Sequence, residues 1–386
     1  MKTSDPPLVL HVIHHLRMGG LENGLVNIIN HLPPQTYRHA IACVEDYSDF
    51  RARIRRPDVE VFALHRSRIG VWGLRRELYR LCRTLHPAIV HSRNPSGLDA
   101  LLPARLAGVR HTVHGEHGWD VGDIDGRRLK PALLRRLHAP LVDRYVAVSK
   151  DLQRYLVERV GIAPGRIRQI YNGVDTERFC PLAGAARAAL PPGFAQDDAV
   201  VIGTVGRLQQ VKDQATLLRA FAAARAQPSP WRDRLRLVVA GDGPLAADLH
   251  GLAGELGIAP ATWFAGARDD VPAILQALDV FVLPSLNEGI SNTVLEAMAS
   301  GLPVLATAIG GNPELVQEGV CGRLFAPGDV AALAAMLADF AQRPDLRAAQ
   351  GAAARARAVQ EFGIETMVRR YQAVYDELMP SRRAAD

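Results

Sequence analysis

Short apolar runs alternate along the chain with longer stretches in which apolar positions recur every three or four residues. The runs predict buried strands, the stretches predict amphipathic helices, and their alternation predicts helices layered on parallel sheets. In the first half, strands are expected near 8–14, 39–44, 59–64, 88–92, 110–114, 144–148 and 167–171, with helices near 21–31, 71–85, 97–107, 127–140 and 149–160. The pattern then restarts, with strands at 199–208, 235–243, 261–266, 279–285 and 302–311 and helices around 213–226, 244–256, 291–300 and 329–341. Two more helical stretches, near 344–359 and 363–378, follow the last strand. The break falls in 172–198, where NGVDTERFCPL leads into an Ala/Pro/Gly-rich segment. A chain of 386 residues also exceeds what one core usually organises. The expectation is two doubly wound Rossmann-like α/β domains, residues 1–178 and 195–362, with 363–386 returning to the first.

Composition narrows the class. A hydrophobic content of 48% excludes intrinsic disorder. Cys43, Cys82, Cys180 and Cys321 are far apart, so neither a zinc site nor a disulfide framework is signalled, and a reducing compartment suits them. No apolar run approaches the ~18–20 residues that span a bilayer. The opening MKTSDPPLVLHVIHHL reads as a first strand and not a signal peptide, so a cytoplasmic protein is expected. The net charge of +6 is unevenly spread: residues 1–192 carry 29 Lys/Arg against 18 Asp/Glu, and residues 193–386 carry 17 against 22. The basic excess belongs to the first half alone, which points to an acidic partner there.

In open α/β sheets ligands bind beyond the carboxyl ends of the strands, which singles out four segments. Gly19 and Gly20, in MGGLENG after the first strand, allow close backbone approach at a helix start. A nicotinamide site there would need Glu45 or Asp46 after the second strand. The segment Thr112-Val113-His114-Gly115-Glu116-His117-Gly118-Trp119-Asp120 sets two histidines, a carboxylate and an indole at a strand end. A histidine there suits a hydrogen bond to a sugar hydroxyl or a proton shuttle; H-x-x-H without a clear third ligand is a poor metal site. In GRLQQVKD (206–213), Arg207 and Lys212 bracket a loop and could neutralise a departing diphosphate. In PSLNEGISNTVLE (284–296), Glu288 lies in the loop and Glu296 about one turn into a helix that Ser291 or Asn292 can cap. Free N–H groups between two carboxylates suit a ligand built as polyol, phosphate and second polyol, the layout of a nucleotide sugar.

Glu-x7-Glu (288 to 296), GRLxxxK (206 to 212), GDGP (241–244), YNGVD (171–175) and the N-terminal GG loop occur in an order that resembles the retaining glycosyltransferases of family four. The resemblance covers nearly the whole chain and implies the GT-B architecture, two Rossmann-like domains facing a cleft, the first on the acceptor side and the second holding the donor. The strings HxxxMGGLENGLVN, VHGEHGWD, LVDRYVAVSKDL, IYNGVDTERF and EGISNTVLEAMASGLPV resemble the sugar transferases of bacterial exopolysaccharide loci associated with PEP-CTERM/exosortase systems.

The resemblance implies site residues. Arg207 and Lys212 would hold the donor diphosphate, with Gly206 and Gly241 in the donor loops. Glu296 would hold the ribose hydroxyls, beside Asn292, while Glu288 and the backbone of Gly289, Ile290 and Ser291 would contact the transferred sugar. Gly19 and Gly20 would bring backbone to the phosphate and acceptor side. The family's strand-end histidine matches His114 most simply, with His117 as the alternative. No metal and no cofactor are implied; the nucleotide-sugar, UDP-linked by default, is a substrate. The acceptor would be a glycan or a lipid-diphosphate-linked glycan. Rival readings are a nucleotide-sugar epimerase or phosphorylase of the same fold, or a non-catalytic nucleotide-sugar-binding protein. A nucleic-acid partner is not expected, because the basic run Arg51–Arg56 lacks interleaved aromatics.

The first-half cations form two clusters: Arg51, Arg53, Arg55, Arg56, Arg75, Arg76, Arg80 and Arg83, then Arg127, Arg128, Lys130, Arg135 and Arg136. In the second, Leu129, Leu133, Leu134 and Leu137 share one expected helical face. Such a face can lie on an anionic leaflet, so peripheral contact with the inner face of the cytoplasmic membrane is expected.

Overall fold

Strand β1 (Leu8–Ile13) is LVLHVI, and every residue in it is buried. Burial on both faces is what helices on either side of a parallel sheet produce. The computed structural model describes residues 5–118, 128–182 and 186–379; Trp119, Asp120 and Arg127 lie outside them. After β1 come β2 (Arg38–Cys43), β3 (Glu60–Ala63), β4 (Ile89–Arg93), β5 (His111–Glu116), β6 (Arg144–Ala147) and β7 (Ile167–Gln169). They form one parallel sheet in the order β3-β2-β1-β4-β5-β6-β7. The second sheet holds β8 (Val200–Val205), β9 (Leu235–Ala240), β10 (Thr262–Gly266), β11 (Val280–Leu283), β12 (Val304–Thr307) and β13 (Gly322–Phe325), in the order β10-β9-β8-β11-β12-β13. Each order reverses once, between β1 and β4 and between β8 and β11, and such switch points are where open parallel sheets bind ligands.

The chain divides into two compact units, residues 1–173 with 364–386, and residues 174–363. The last helix, Ile364–Leu378, belongs to unit 1. Its buried face, Ile364, Met367, Val368, Tyr371, Val374, Tyr375 and Leu378, follows helical spacing. It shares a core with Val9, Ile89, Val113 and Val146 of the sheet, and the Tyr37 hydroxyl donates to Asp376 at 2.7 Å. Much of 174–199 packs on unit 2: Phe179 and Leu190 are buried, and Arg187 donates to the Ala199 carbonyl at 2.6 Å.

Three features depart from the expected elements. The stretch 97–107 is three short turns of helix, Asn94–Gly97, Leu98–Ala100 and Leu101–Leu106, in a segment punctuated by Pro95 and Pro103. The strand β13 was not foreseen, because four residues of GRLF are too short for periodicity to separate from a turn. The short helices Val271–Gln276 and Asn312–Leu315 were missed for the same reason. Among the described residues no helix is long and apolar enough to cross a membrane.

Candidate active site

In unit 2, backbone contacts join the loops after β8, β9, β11 and β12. The Gly206 N–H donates to the Ala240 carbonyl at 2.9 Å, and the Leu208 N–H to the Asp242 carbonyl at 2.9 Å. Gly241 sits at φ 142°, where a Cβ would fall 1.9 Å from the Gly206 carbonyl oxygen, so any side chain there would drive the two loops apart. The Leu286 N–H donates to the Val211 carbonyl at 2.8 Å, which ties the loop after β11 to the loop after β8. On the other side, Gly310 has φ 48°, and a Cβ on it would fall 1.9 Å from the Glu288 carbonyl oxygen. Main-chain contacts thus fix how closely the polar loops approach one another.

This frame brings Lys212 and Glu288 together. Lys212 Nζ lies 2.5 Å from Glu288 Oε1, and the Ser285 hydroxyl donates to the same oxygen at 2.7 Å. Ser285 is in turn fixed by Thr307, whose hydroxyl donates to the Ser285 carbonyl at 2.6 Å, and Asn312 Nδ2 donates to the Thr307 carbonyl at 3.0 Å. Arg207 is exposed on the same loop as Lys212. Its guanidinium makes no hydrogen bond to a described residue. Ser291 caps the helix Asn292–Ala299 by accepting the Val294 N–H; Ile290 is buried, Gly289 and Asn292 are half-buried, and Glu296 lies half-buried one turn in. Two cations, two carboxylates and a helix start on joined loops can hold a diphosphate together with hydroxyl groups. Among the described residues no group of three or more His, Cys, Asp or Glu is placed to hold a metal ion.

In unit 1, Gly19 and Gly20 lie after β1 at the start of the helix Gly20–His31. The carboxylates that a nicotinamide site would need are engaged elsewhere. Glu45 accepts the Ser67 N–H at 3.1 Å, and Asp46 takes Arg17 at 3.0 Å and His15 at 2.7 Å.

The two histidines differ sharply. His114, on β5, is fully buried. Its Nε2 meets Glu116 Oε1 at 3.2 Å and its Nδ1 meets the Ser92 hydroxyl at 2.8 Å. Burial alone would raise the Glu116 carboxyl, but the Arg135 charge and the His114 hydrogen bond outweigh it and hold it at about 2. An ionised carboxylate only accepts, so His114 donates from Nε2, while its Nδ1 is engaged by the Ser92 hydroxyl. Both nitrogens are spoken for. His117, just past the strand, donates its backbone N–H to Asn94 Oδ1 at 2.9 Å. Neither of its ring nitrogens has a partner among the described residues, and both are buried. Burial lowers its pKa to about 3, with the Arg93 charge adding to the effect, so the ring is neutral.

Sequence reasoning missed several supports. Ser285, Thr307 and Asn312 sit in runs that read as plain strand or turn. Gly310 and Gly311 were legible only as a glycine pair closing an apolar run. Arg135, grouped above with surface cations, is 3% exposed and clamps Glu116 through Nε at 2.6 Å and Nη2 at 3.1 Å.

Two family models cover most of the chain. The one described as "Glycosyltransferase Family 4" matches residues 18–178 and the one described as "Glycosyl transferases group 1" matches residues 199–343. A D-inositol 3-phosphate glycosyltransferase of Streptomyces scabiei is 35% identical over 62% of this chain and 55% of its own length. The chain thus spans little more than half of that relative. The putative glycosyltransferase EpsF of Bacillus subtilis is 28% identical over 78% of this chain and 79% of its own. An Escherichia coli UDP-Gal:alpha-D-GlcNAc-diphosphoundecaprenol alpha-1,3-galactosyltransferase is 31% identical over 66% of each. Among solved structures, Anabaena HepE in complex with UDP superposes with a TM-score of 0.80 at 22% identity, covering 96% of this chain and 100% of that one. With two parallel-sheet Rossmann-like units of the GT-B type and both halves matched by glycosyltransferase models, the chain belongs to the family-four glycosyltransferases.

Proposed function

We propose that the chain is a retaining, metal-independent transferase moving a sugar from a UDP-sugar to a growing lipid-linked glycan in bacterial exopolysaccharide or cell-surface polysaccharide synthesis. On the motifs quoted above, the pathway is a PEP-CTERM/exosortase-associated one. The observation that carries the reading is the Lys212–Glu288–Ser285 cluster, with Arg207, whose guanidinium pairs with no described residue, on the same loop as Lys212. The HepE structures, which hold UDP and UDP-glucose, support a UDP donor, and the name of the Escherichia coli relative supports a lipid-diphosphate acceptor.

In this reading Lys212 exchanges Glu288 for a diphosphate oxygen, which frees the carboxylate for the hydroxyls of the transferred sugar. The bond from the anomeric carbon to the diphosphate breaks with both electrons leaving on oxygen. The acceptor hydroxyl attacks from the same face and gives its proton to the departing phosphate. Arg207 and Lys212 meet the negative charge as it develops, in place of a divalent ion. Glu296 holds the ribose. Of the two histidines, His117 is assigned to the sugar, because the nitrogens of His114 are already committed. Turnover with UDP-sugars should persist in EDTA. Glu288→Gln should lower transfer by about 10²-fold while leaving UDP affinity, read by calorimetry, nearly unchanged. Loss of UDP binding in that variant would reverse the roles of the two glutamates.

The acceptor side carries a membrane-facing element. In the helix Leu129–His138, Leu129, Leu133 and Leu137 are 78%, 57% and 67% exposed, with exposed Arg128, Lys130 and Arg136 around them. Leaving such side chains in water forgoes about 1.5–3 kcal/mol each, and each cation near an anionic leaflet adds about 1 kcal/mol. The first cluster contributes less, since Arg56 pairs with Asp58, Arg75 with Asp99 and Arg80 with Glu77. The chain should float with vesicles containing phosphatidylglycerol and not with phosphatidylcholine alone, and Leu133→Glu with Leu137→Glu should abolish flotation. Equal binding to both vesicle types would remove the membrane from the reading.

A further inference from the structure

Arg93, at the end of β4 and 1% exposed, is the hub of a buried polar network that the transfer reaction does not use. Among the described residues no carboxylate pairs with it. Its Nη1 lies 3.1 Å from His11 Nδ1 and its Nη2 3.4 Å from His91 Nδ1. The Tyr375 hydroxyl lies 2.8 Å from His91 Nδ1, and His11 Nε2 lies 2.9 Å from His39 Nδ1.

A guanidinium can only donate. His11 therefore accepts on Nδ1; His91 Nδ1 faces both the Arg93 guanidinium and the Tyr375 hydroxyl, and the cation beside it favours a lone pair there over an N–H, which puts the proton of each neutral ring on Nε2. In His11 that proton is used, since Nε2–H donates to His39. In His91 it is not: Nε2 is buried and has no acceptor among the described residues. A buried donor without an acceptor is costly, so its direction is informative. A methyl group built on Gly115 would lie 3.3 Å from His91 Nε2 and 2.7 Å from His117 Nε2. Both nitrogens thus turn to the same side of the Gly115 Cα, and both lack partners.

We infer that Arg93, acting through His91, sets the tautomer of His117. The His91 Nε2–H is delivered through one bridging water to His117 Nε2. His117 then carries its proton on Nδ1 and presents Nδ1–H as a donor of fixed direction. Gly115 is the residue that leaves the space between the two rings open. Arg93 and His91 are positioning residues, and the catalytic consequence rests on the assignment of His117 to the sugar proposed above: the ring would donate to a sugar oxygen and would not accept from a sugar hydroxyl.

The test is long-range ¹H–¹⁵N correlation on the full chain labelled at histidine, at pH 7.5, with the His117 signals identified by their loss in His117→Asn. The expected result is a protonated Nδ1 and an unprotonated Nε2 in His117. In His91→Phe the proton should move to Nε2 or divide between the nitrogens, and in His91→Gln, which keeps an N–H donor, the wild-type pattern should return. A protonated Nε2 in the wild-type chain overturns the inference even if the variants fail to fold, as does a tautomer that His91→Phe leaves unchanged. Normal transfer by His117→Ala would remove the catalytic role of His117 while leaving the tautomer result standing.

Discussion

Arg207→Ala is expected to lower turnover by about 10²–10³-fold, the loss of one preorganised donor aimed at developing charge, without moving the melting temperature. The guanidinium is exposed and bonds to no described residue, so its removal leaves nothing unsatisfied. Lys212→Ala should cost as much in turnover but should also destabilise. The Glu288 side chain is only 9% exposed and would keep Ser285 as a partner while losing its counter-ion. An unpaired, largely buried carboxylate costs about 1–3 kcal/mol, which a shift in melting temperature reads. The two variants together separate charge stabilisation from local packing. If Arg207→Ala turned over UDP-sugar at near the wild-type rate, the diphosphate assignment would be lost. If Lys212→Ala melted like wild type, the Lys212–Glu288 pair would not be the resting arrangement. Added UDP should protect the wild-type chain from heat and protect Arg207→Ala less, because the ligand stabilises in proportion to its affinity.

The sheets were legible because a strand buried on both faces is an apolar run, as LVLHVI (β1), VVIGTV (β8) and VFVL (β11) are. The thirteenth strand, GRLF, carries no such signal. The unit 2 site was legible because loops that hold phosphate need cations and glycines at fixed spacing, and 206–212 and 288–296 keep that spacing in the sequence. What escaped were long-range partners. Nothing near Arg135 in the chain announces that it leaves its basic neighbours to clamp Glu116, nineteen residues away. Spacing alone also could not rank the histidines of HGEH. His114 lies inside β5 and is satisfied by Ser92 of the adjacent β4, a pairing set by strand register. His117 lies past the strand end, where strand register sets no hydrogen-bond partner for its ring. The charge surplus of the first half is likewise altered by tertiary structure: much of it is paired, and the helix Leu129–His138 combines its remaining cations with exposed leucines.

A second large effect is expected from acid. Twelve of the 13 histidines lie in unit 1 and one, His250, in unit 2. In the folded chain burial, reinforced by the Arg93 charge, pushes the pKa values of His11 and His91 well below 6.5. Burial also lowers His39 and His117 to about 3. Because the folded values lie below the unfolded one, the stability these rings allow is fully present above pH 6.5 and is lost as pH falls beneath it. Each unfolded imidazole then takes a proton that its folded counterpart refuses, which removes about 1.4 kcal/mol per pH unit per histidine. Four such groups would remove on the order of 4 kcal/mol between pH 6.5 and 5.5, close to the whole stability of a marginal domain. Carboxylates do not compete in this window, since Glu116 begins to lose its contribution only below about 4.5. Asp279, whose carboxyl burial pushes up, works in the opposite sense in unit 2. Calorimetry from pH 7.5 to 5.5 should therefore show one transition falling steeply and a second nearly constant. His39→Asn, which keeps an acceptor for His11, should reduce the slope of the first by about one proton equivalent. A first transition that stays flat over this range would mean that the Arg93 network takes up protons while folded, and the neutral rings inferred from its geometry would have to be given up.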